Sequence, residues 1–499
     1  MLNTTIKKLH GRLKGNSVTV EEVIGSCLKR ANEIKDLNAY INLNSENVEQ
    51  IEDSKRHFKN GNCRSPLEGI PIAVKDNFCV KNMPTTCGSK MLKNFVPKYT
   101  ATVVEKLFNS GAILLGKTNM DEFAMGSGTT TSAFGPTKNI WGSKHSNIFM
   151  QDDSEDWFLA GGSSGGSAVA VASGTCLGAL GSDTGGSCRN PASYCGVVGL
   201  KPSYGLLSRH GLIPLVNSMD VPGILTLNVE DASILLGIMA GKDENDSTTL
   251  QSDLNLNLNF SSSSVKGLKI GIPIEYNCEG LSDEIKSTWD DVAKILDGGG
   301  ATVVPVSMPH TKYSIVCYSI LNQCEVASNM ARYDGVEYGL RCDSTKNSSE
   351  MFTDSRSSGF NDIVRSRILG GNYFLLSRSK RYYDQALKVR RLIFEDFQNI
   401  WDKGINILLT PTTLTDAPRY SEYKEKDERE QSVVQDYCTQ PANLAGCPAI
   451  TIPIELSKKG FPISLQLMAP NFMEKTLLES ALYIENAVYF AQYRNKFIS

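Results

Sequence analysis

The sequence lacks several features that would each point to a class of protein. No stretch approaches the ~18 consecutive apolar residues of a membrane-spanning helix, and we expect no secretory signal at the N-terminus. The 13 cysteines are an odd number without a CxxC pair, which favours free thiols in a reducing compartment and no metal site. With 51 Lys+Arg against 54 Asp+Glu, there is no basic excess for nucleic-acid binding.

The 499 residues, of which 41% are hydrophobic, predict a soluble globular protein with ample material for a core. Segments of helical period alternate with short apolar runs, which favours an α/β fold with helices on both faces of a sheet. Thr19 and Glu22 form a capping-box pattern before the first clear helix. The expected strands lie at 68–74, 112–116, 268–273, 405–411, 448–453 and 464–469, and the expected helices at 20–34, 102–111, 281–297, 314–332, 372–399 and 474–491.

The N-terminal segment is basic and free of acids. Lys7, Lys8, Arg12 and Lys14 all precede the first acidic residue, Glu21. Such a segment is weakly similar to an organelle-targeting sequence and equally typical of the first amphipathic helix of a fold. Both interpretations are open from the sequence.

The segment "GAILLGKT" (111–118) matches the G-x-x-x-x-G-K-[ST] pattern of a phosphate-binding loop. That motif requires a flexible turn between a strand and a helix, whereas "AILL" is typical of the strand itself. We therefore expect a strand here and no nucleotide site.

Two serines, Ser163 and Ser187, each lie beside paired glycines. "GGSSG" (161–165) fits the G-x-S-x-G nucleophile elbow, with a possible strand at 157–160 before it and a helix of small residues after it. That elbow predicts a downstream histidine base. Only His210 and His310 follow in the chain, and neither lies in a glycine-flanked or acid-paired segment, which favours a base other than histidine.

Lys75 ends the apolar segment "GIPIAVKDNF" (69–78). A neutral lysine can deprotonate a serine, and full burial lowers the pKa of a lysine by up to ~3–5 units. Taken alone, Lys75 is by default interpreted as a residue that extends its charged head from the strand end into solvent.

These segments, together with "ALGSDTGGSCRNPASYCGVVGLKPSYGLLSR", resemble the central pattern of the amidase signature family. The resemblance implies that Ser187 is the nucleophile, Ser163 the bridging serine and Lys75 the base that acts through Ser163. It also implies a three-layer α/β/α fold with a mixed central sheet, as one domain over 1–499. Its expected parts are N-terminal helices (1–65), the catalytic core (66–230), a mainly helical part beside the substrate pocket (265–400), and C-terminal strands and a helix (401–499).

The turn after "ALGSD" is suited to bind an oxyanion. Successive N–H groups can point to one place there, and glycine permits the close approach that the oxyanion needs. Asp183 is expected to support the turn, and Arg189 is expected to bind to groups close to it. The predicted donors are the N–H groups of Thr184, Gly185, Gly186 and Ser187.

Further segments resemble the glutamine-hydrolysing subunits of tRNA-dependent amidotransferases within that family. These segments are 116–139, 366–371, 382–390 and 439–453. The resemblance implies that glutamine forms an acyl-enzyme on its way to glutamate, and that the ammonia converts Glu-tRNA(Gln) to Gln-tRNA(Gln). A glutamine pocket pairs the carboxylate with an arginine and the ammonium with an acid. The matching positions are Arg367 for the carboxylate, Asp436 for the ammonium and Tyr318 in the pocket lining.

The same resemblance implies partners and a location. We expect a heterotrimer with B and C subunits in the mitochondrial matrix, with the cytoplasm as the alternative. Glu-tRNA(Gln) is expected to bind mainly to the B subunit, and ATP and Mg²⁺ to a partner subunit, with no cofactor in this chain. Segments 141–158 and 219–225 depart from bacterial patterns and are similar to animal mitochondrial members. A stand-alone amidase of broader specificity and a catalytically silent scaffold are the alternatives.

Overall fold

The computed structural model describes residues 4–45, 47–146, 156–250, 258, 263–343 and 347–494, so the middle of the acidic segment 141–158 lies outside the described residues. The helices are α1 (Ile6–Lys14), α2 (Val20–Glu33), α3 (Val48–Lys59), α4 (Thr102–Asn109), α5 (Gly165–Ala172), α6 (Arg189–Cys195), α7 (Val229–Met239), α8 (Asp283–Gly298), α9 (Ser314–Met330), α10 (Ser348–Gly359), α11 (Asp362–Leu375), α12 (Lys380–Asp402), α13 (Tyr420–Lys424), α14 (Glu428–Asp436), α15 (Gln440–Ala445), α16 (Glu474–Val488) and α17 (Ala491–Arg494). The strands are β1 (Tyr40–Leu43), β2 (Pro71–Lys75), β3 (Ile113–Thr118), β4 (Gly178–Asp183), β5 (Val198–Lys201), β6 (Val221–Thr226), β7 (Lys269–Pro273), β8 (Thr302–Val306), β9 (Ile407–Pro411), β10 (Ala449–Leu456) and β11 (Pro462–Met468).

Within these ranges the strands form one mixed 11-stranded sheet, in the order β1-β3-β2-β4-β6-β5-β10-β11-β9-β7-β8. Strands β3, β2 and β4 run parallel to one another, as do β9, β7 and β8. The strands between these two groups pair antiparallel. The predicted α/β fold with a mixed sheet is therefore confirmed.

The helices pack on the sheet in two groups. In one, α5 and α6 contact each other and the central strands; in the other, α4, α7, α16 and α8 form a connected layer. Helix α5, "GGSAVAVA", is buried along its whole length, because small side chains let it lie close to the sheet. Helices α9, α11 and α12 pack together as a separate helical part.

Several local predictions are confirmed. The Thr19 capping box is formed at the start of α2, and the basic N-terminal segment forms α1, whose apolar side buries Ile6, Leu9 and Leu13. "GAILLGKT" contains strand β3, and its Lys117 is buried rather than free for a phosphate.

No helix in the described ranges combines the length and apolar character needed to cross a membrane.

Two predicted elements are wrong, and a third begins later than expected. The single helix expected at 372–399 is divided, because Leu376 adopts an extended conformation (φ −62°, ψ 142°) that ends α11 before α12 begins at Lys380. The strand expected at 157–160 is not formed; Phe158 and Leu159 make only isolated bridges to Arg419 and Lys138. The strand expected from residue 68 begins at Pro71.

Strand polarity brings the candidate site together. Because β2 and β4 are parallel neighbours, Lys75 at the end of β2 lies at the same sheet edge as the turn that follows Asp183. Ligand sites of open α/β sheets form at such carboxyl ends. Helix α5 begins at this edge, directly after Ser163 and Ser164.

Candidate active site

Lys75 is fully buried, and its Nζ is surrounded by serine hydroxyls. It donates to Ser163 Oγ at 2.8 Å, Ser164 Oγ at 2.8 Å and Ser182 Oγ at 2.9 Å. Burial lowers the pKa of Lys75 to about 8, against the nearby acidic groups that favour its charged form. Lys75 therefore does not extend into solvent, and a neutral amine is accessible near neutral pH.

The segments that carry Ser163 and Ser187 lie side by side. The Gly162–Ser163 peptide bond is cis, and Ser163 is buried. The Ser164 N–H donates to the Ser187 carbonyl at 3.1 Å, while Ser187 itself is half-buried. Among the described residues no hydrogen bond joins Ser163 Oγ to Ser187 Oγ. Of the two contacts in the predicted relay, the structure therefore shows the one between Lys75 and Ser163 and not the one between Ser163 and Ser187.

A buried ion pair fixes the turn before Ser187. Arg189 Nε and Nη2 donate to the two oxygens of Asp183 at 3.0 and 2.9 Å, and both side chains are fully buried. Burial alone would raise the pKa of Asp183, but the Arg189 charge and hydrogen bonds hold that pKa well below its usual range. The same carboxylate accepts from the N–H groups of Gly186 and Cys188 at 3.0 and 3.1 Å. Asp183 therefore shapes the turn.

The predicted oxyanion donors are not equivalent. The Gly186 N–H is already engaged by Asp183. The N–H groups of Thr184, Gly185 and Ser187 have no acceptor among the described residues, so these can receive an oxygen. The neighbouring Cys188 thiol does not compete as a nucleophile, because burial raises its pKa to about 12 and keeps it protonated.

The predicted substrate residues surround this turn. Tyr318, on α9, lies over Gly185, since a methyl group placed there would be 2.7 Å from Cζ of the ring. Asp436, at the end of α14, lies beside Gly186, with Oδ1 3.3 Å from the corresponding position. Arg367, on α11, borders the same region through a cavity of about 500 Å³ that Tyr318 also lines.

Asn322 joins two of these residues, and the sequence analysis did not include it. Its Nδ2 donates to Tyr318 OH at 3.1 Å, and its Oδ1 accepts from Arg367 Nη1 at 3.4 Å. Tyr318 and Asn322 are four residues apart on α9 and so share a helix face, a spacing that could have indicated the contact. Ser164 and Ser182, the other acceptors of Lys75, were also missed.

Arg367 and Asp436, the two ionisable groups expected in the pocket, lack ion-pair partners in the part of the chain that the structure describes. Neither Arg367 nor Asp436 forms an ion pair with another described residue, and the Asp436 carboxylate makes no hydrogen bond among them. Burial, with the nearby Asp183 charge, raises the pKa of Asp436 to about 8. An arriving ammonium would favour its charged form. A carboxyl group beside the turn and an arginine that lines the neighbouring cavity are thus both without an ion-pair partner among the described residues.

The histidines do not lie in this centre. His310 pairs with Asp396 at 2.9 Å, so the expectation that neither downstream histidine is acid-paired is wrong. That pair lies at the start of the helical part, against Tyr313, and not among the neighbours of Lys75. His210 packs against Tyr99. Within the described ranges, no group of three or more His, Cys, Asp or Glu side chains is placed to hold a metal ion.

A buried lysine on serine hydroxyls, beside a half-buried serine and free N–H groups, is an arrangement for attack on a carbonyl carbon. The family model described as Amidase matches residues 22–478, and the chain belongs to the amidase signature family, whose members carry amide hydrolase chemistry.

Its relatives define the branch more closely. The chain is 74% identical over 491 residues to the mitochondrial glutamyl-tRNA(Gln) amidotransferase A subunit of Pediculus humanus subsp. corporis, covering 98% of this chain and 99% of the relative. It is 57% identical to the protein of the same name from Aedes aegypti, over 93% of each chain. The crystal structure of the glutamyl-tRNA(Gln) amidotransferase A subunit from Thermotoga maritima is similar, with a TM-score of 0.76 and 32% identity over 97% of this chain and 95% of that one. The predicted resemblance to the animal mitochondrial type and the mitochondrial location are thereby confirmed.

Proposed function

We propose that this chain hydrolyses glutamine and supplies the ammonia that converts Glu-tRNA(Gln) to Gln-tRNA(Gln). The observation that supports this most is that two groups near the turn that holds Ser187 lack an ion-pair partner among the described residues: Asp436 beside Gly186, and Arg367 in the cavity that Tyr318 also lines. The two groups match the carboxylate and ammonium of an amino acid, and a carboxamide between them would lie near Ser187. Tyr318 would limit the width of the substrate.

The chemistry proposed follows from the geometry of Lys75. In its neutral form, Lys75 accepts the Ser163 proton as Ser163 accepts that of Ser187. Ser187 Oγ attacks the glutamine carboxamide, and the oxyanion binds to the free N–H groups of the turn. Ammonia leaves as the acyl-enzyme forms, and water then releases glutamate from Ser187.

The test is the Ser187→Ala variant in the assembled amidotransferase. We expect no detectable glutaminase activity and no glutamine-dependent amidation, while amidation with added ammonia persists because the partner's site is unchanged. Asp436→Asn should raise the KM for glutamine more than it lowers kcat. Full glutaminase turnover by Ser187→Ala would overturn the proposal.

We also propose that the partners are B and C subunits in the mitochondrial matrix, with ATP, Mg²⁺ and most of the Glu-tRNA(Gln) contact on a partner subunit. The helical part presents an unusual surface next to the pocket. Between residues 369 and 387 its exposed apolar residues include Leu369, Tyr373, Leu375, Leu376, Tyr382 and Leu387. Between residues 369 and 388 the chain carries four basic residues, Arg378, Lys380, Arg381 and Lys388, against one acid, Asp384.

An apolar surface with a basic rim is suited to an acidic protein partner. Leu369 is 71% exposed, and Leu369→Asp should reduce co-purification with the B and C subunits. Val48, 64% exposed on α3, is the matched control, and Val48→Asp should leave assembly intact. Equal co-purification of both variants would exclude this surface from the interface.

A further inference from the structure

Thr129 bridges the two sides of the segment that carries Ser163. Its Oγ1 donates to the Gly161 carbonyl at 2.9 Å and accepts from the Gly165 N–H at 3.0 Å. These two backbone groups lie two residues before and two residues after Ser163. A single hydroxyl therefore holds both arms of the loop from which Ser163 reaches Lys75.

The loop that presents Thr129 is itself held firmly. The buried Asp121 carboxylate accepts from the N–H groups of Thr129, Thr130 and Thr131 at 2.8, 2.9 and 3.3 Å. Thr129 has φ +52°, a left-handed conformation that is uncommon for a β-branched residue. Such a conformation persists only where its surroundings enforce it. Asp121 thus keeps the Thr129 hydroxyl fixed against the serine loop.

The Gly161 carbonyl and the Gly165 N–H have no other partner among the described residues. Thr129, Gly161 and Gly165 are all buried, and a methyl group added at Gly165 would lie 2.9 Å from Thr129 Cβ. Without the hydroxyl, a buried carbonyl and a buried N–H would both lose a partner, which favours a shift of the loop. Ser163 has to stay within hydrogen-bond reach of Lys75 and close enough to Ser187 to accept its proton, so a small shift affects catalysis directly.

We propose that Thr129 is a positioning residue for the proton relay, acting through the backbone on either side of Ser163. The proposal rests on the proposed glutaminase function. Thr129 makes no contact with Tyr318, Arg367 or Asp436 in the hydrogen bonds of the described residues, so its removal should affect turnover and leave glutamine binding unchanged.

The test compares Thr129→Val, which keeps the shape and removes the hydroxyl, with Thr129→Ser, which keeps the hydroxyl. In the assembled amidotransferase we expect Thr129→Val to lower kcat for glutamine by up to ~100-fold, the scale expected for a reacting group displaced by ~1 Å, with KM unchanged. Thr129→Ser should restore most of kcat. Thr226→Val is the matched control, because Thr226 is also buried and its Oγ1 also donates to a backbone carbonyl, at the far end of β6.

A second readout does not depend on glutamine. A fluorophosphonate forms an Oγ–P bond with an activated serine and expels fluoride, while the serine proton passes to the relay. The labelling rate of Ser187 should fall in Thr129→Val as kcat does. If wild-type protein is labelled but does not hydrolyse glutamine, the proposed function fails while this comparison still decides the role of Thr129.

The remaining outcomes are also decisive. Wild-type kcat and labelling in Thr129→Val would overturn the proposal, and so would equal losses in Thr129→Val and Thr129→Ser, since the hydroxyl would then not matter. A rise in KM with kcat unchanged would overturn it too. If Thr129→Val does not fold, Thr129→Ala takes its place, and equal kcat in the Ala and Ser variants would refute the role.

Discussion

The buried Lys75 predicts a steep dependence of turnover on pH. Only the neutral amine can accept the Ser163 proton, so kcat should rise as Lys75 loses its proton. Burial lowers its pKa from 10.5 to about 8. At pH 7 about 10% of Lys75 is then neutral, against roughly 0.03% at the ordinary pKa, a ~300-fold larger population of the base.

The assay is ammonia release from glutamine by the assembled enzyme between pH 6 and 9. The acid limb of kcat should rise about tenfold per pH unit and level off above about pH 8. On the proposed function, the substrate ammonium keeps Asp436 charged in the complex, so the pH dependence of kcat reports Lys75 alone. The pH dependence of kcat/KM reports both groups of the free enzyme. Lys75→Arg is the control: it keeps the charge, cannot deprotonate, and should be inactive at every pH.

The pH dependence of the free energy of unfolding gives an independent check on the pKa of Lys75. The unfolded chain binds more protons than the folded one between about pH 8 and 10.5, so the Lys75 contribution becomes more favourable as pH rises. Relative to Lys75→Met, the wild-type free energy of unfolding should increase by about 1 kcal/mol from pH 8 to pH 9. A kcat that does not change between pH 6 and 8, or a limb centred near pH 10, would refute the reasoning.

Two substitutions test the turn beside Ser187. Gly185→Ala places a methyl group 2.7 Å from the Tyr318 ring, so the ring has to move; KM for glutamine should rise at least about tenfold while the melting temperature changes little, and an unchanged KM would contradict the placement of Tyr318. Asp183→Asn leaves the Arg189 charge buried without a counter-charge and should lower the free energy of unfolding by about 3–5 kcal/mol in urea titrations. The exposed pair Lys294–Asp291 is its control; Asp291→Asn should change stability by less than about 0.5 kcal/mol, and equal effects would exclude a special role for the buried pair.

The central segments could be predicted because their chemistry is local in sequence. Lys75, Ser163 and Ser187 lie in glycine-rich or apolar segments with a recognisable pattern, and the structure brings Lys75 and Ser163 into direct contact. The strands near them, β2 and β3, are continuous apolar runs that are typical of buried parallel strands.

The supporting contacts could not be predicted, because they join distant parts of the chain through the backbone. Thr129 bonds the backbone of residues 161 and 165, which no periodicity or spacing indicates. Strand β4 was missed because "GALGSD" is rich in small residues and lacks the β-branched pattern of a strand; pairing with β2 and β6 imposes its conformation. The break at Leu376 was missed for a similar reason, since "LLSRS" contains neither glycine nor proline.

The proposed catalytic groups and two of the proposed substrate residues lie on different parts of the fold, and this separation bears on how new substrate specificities evolve. The groups that we propose break the bond lie at or near the ends of β2 and β4, whereas the proposed substrate residues Tyr318 and Arg367 are carried on α9 and α11, which pack mainly on each other. Mutations in those two helices can reshape the substrate pocket while Lys75 keeps its serine partners. A duplicated copy of the gene could therefore acquire a different amide substrate through mutations in these two helices, without passing through a catalytically inactive intermediate.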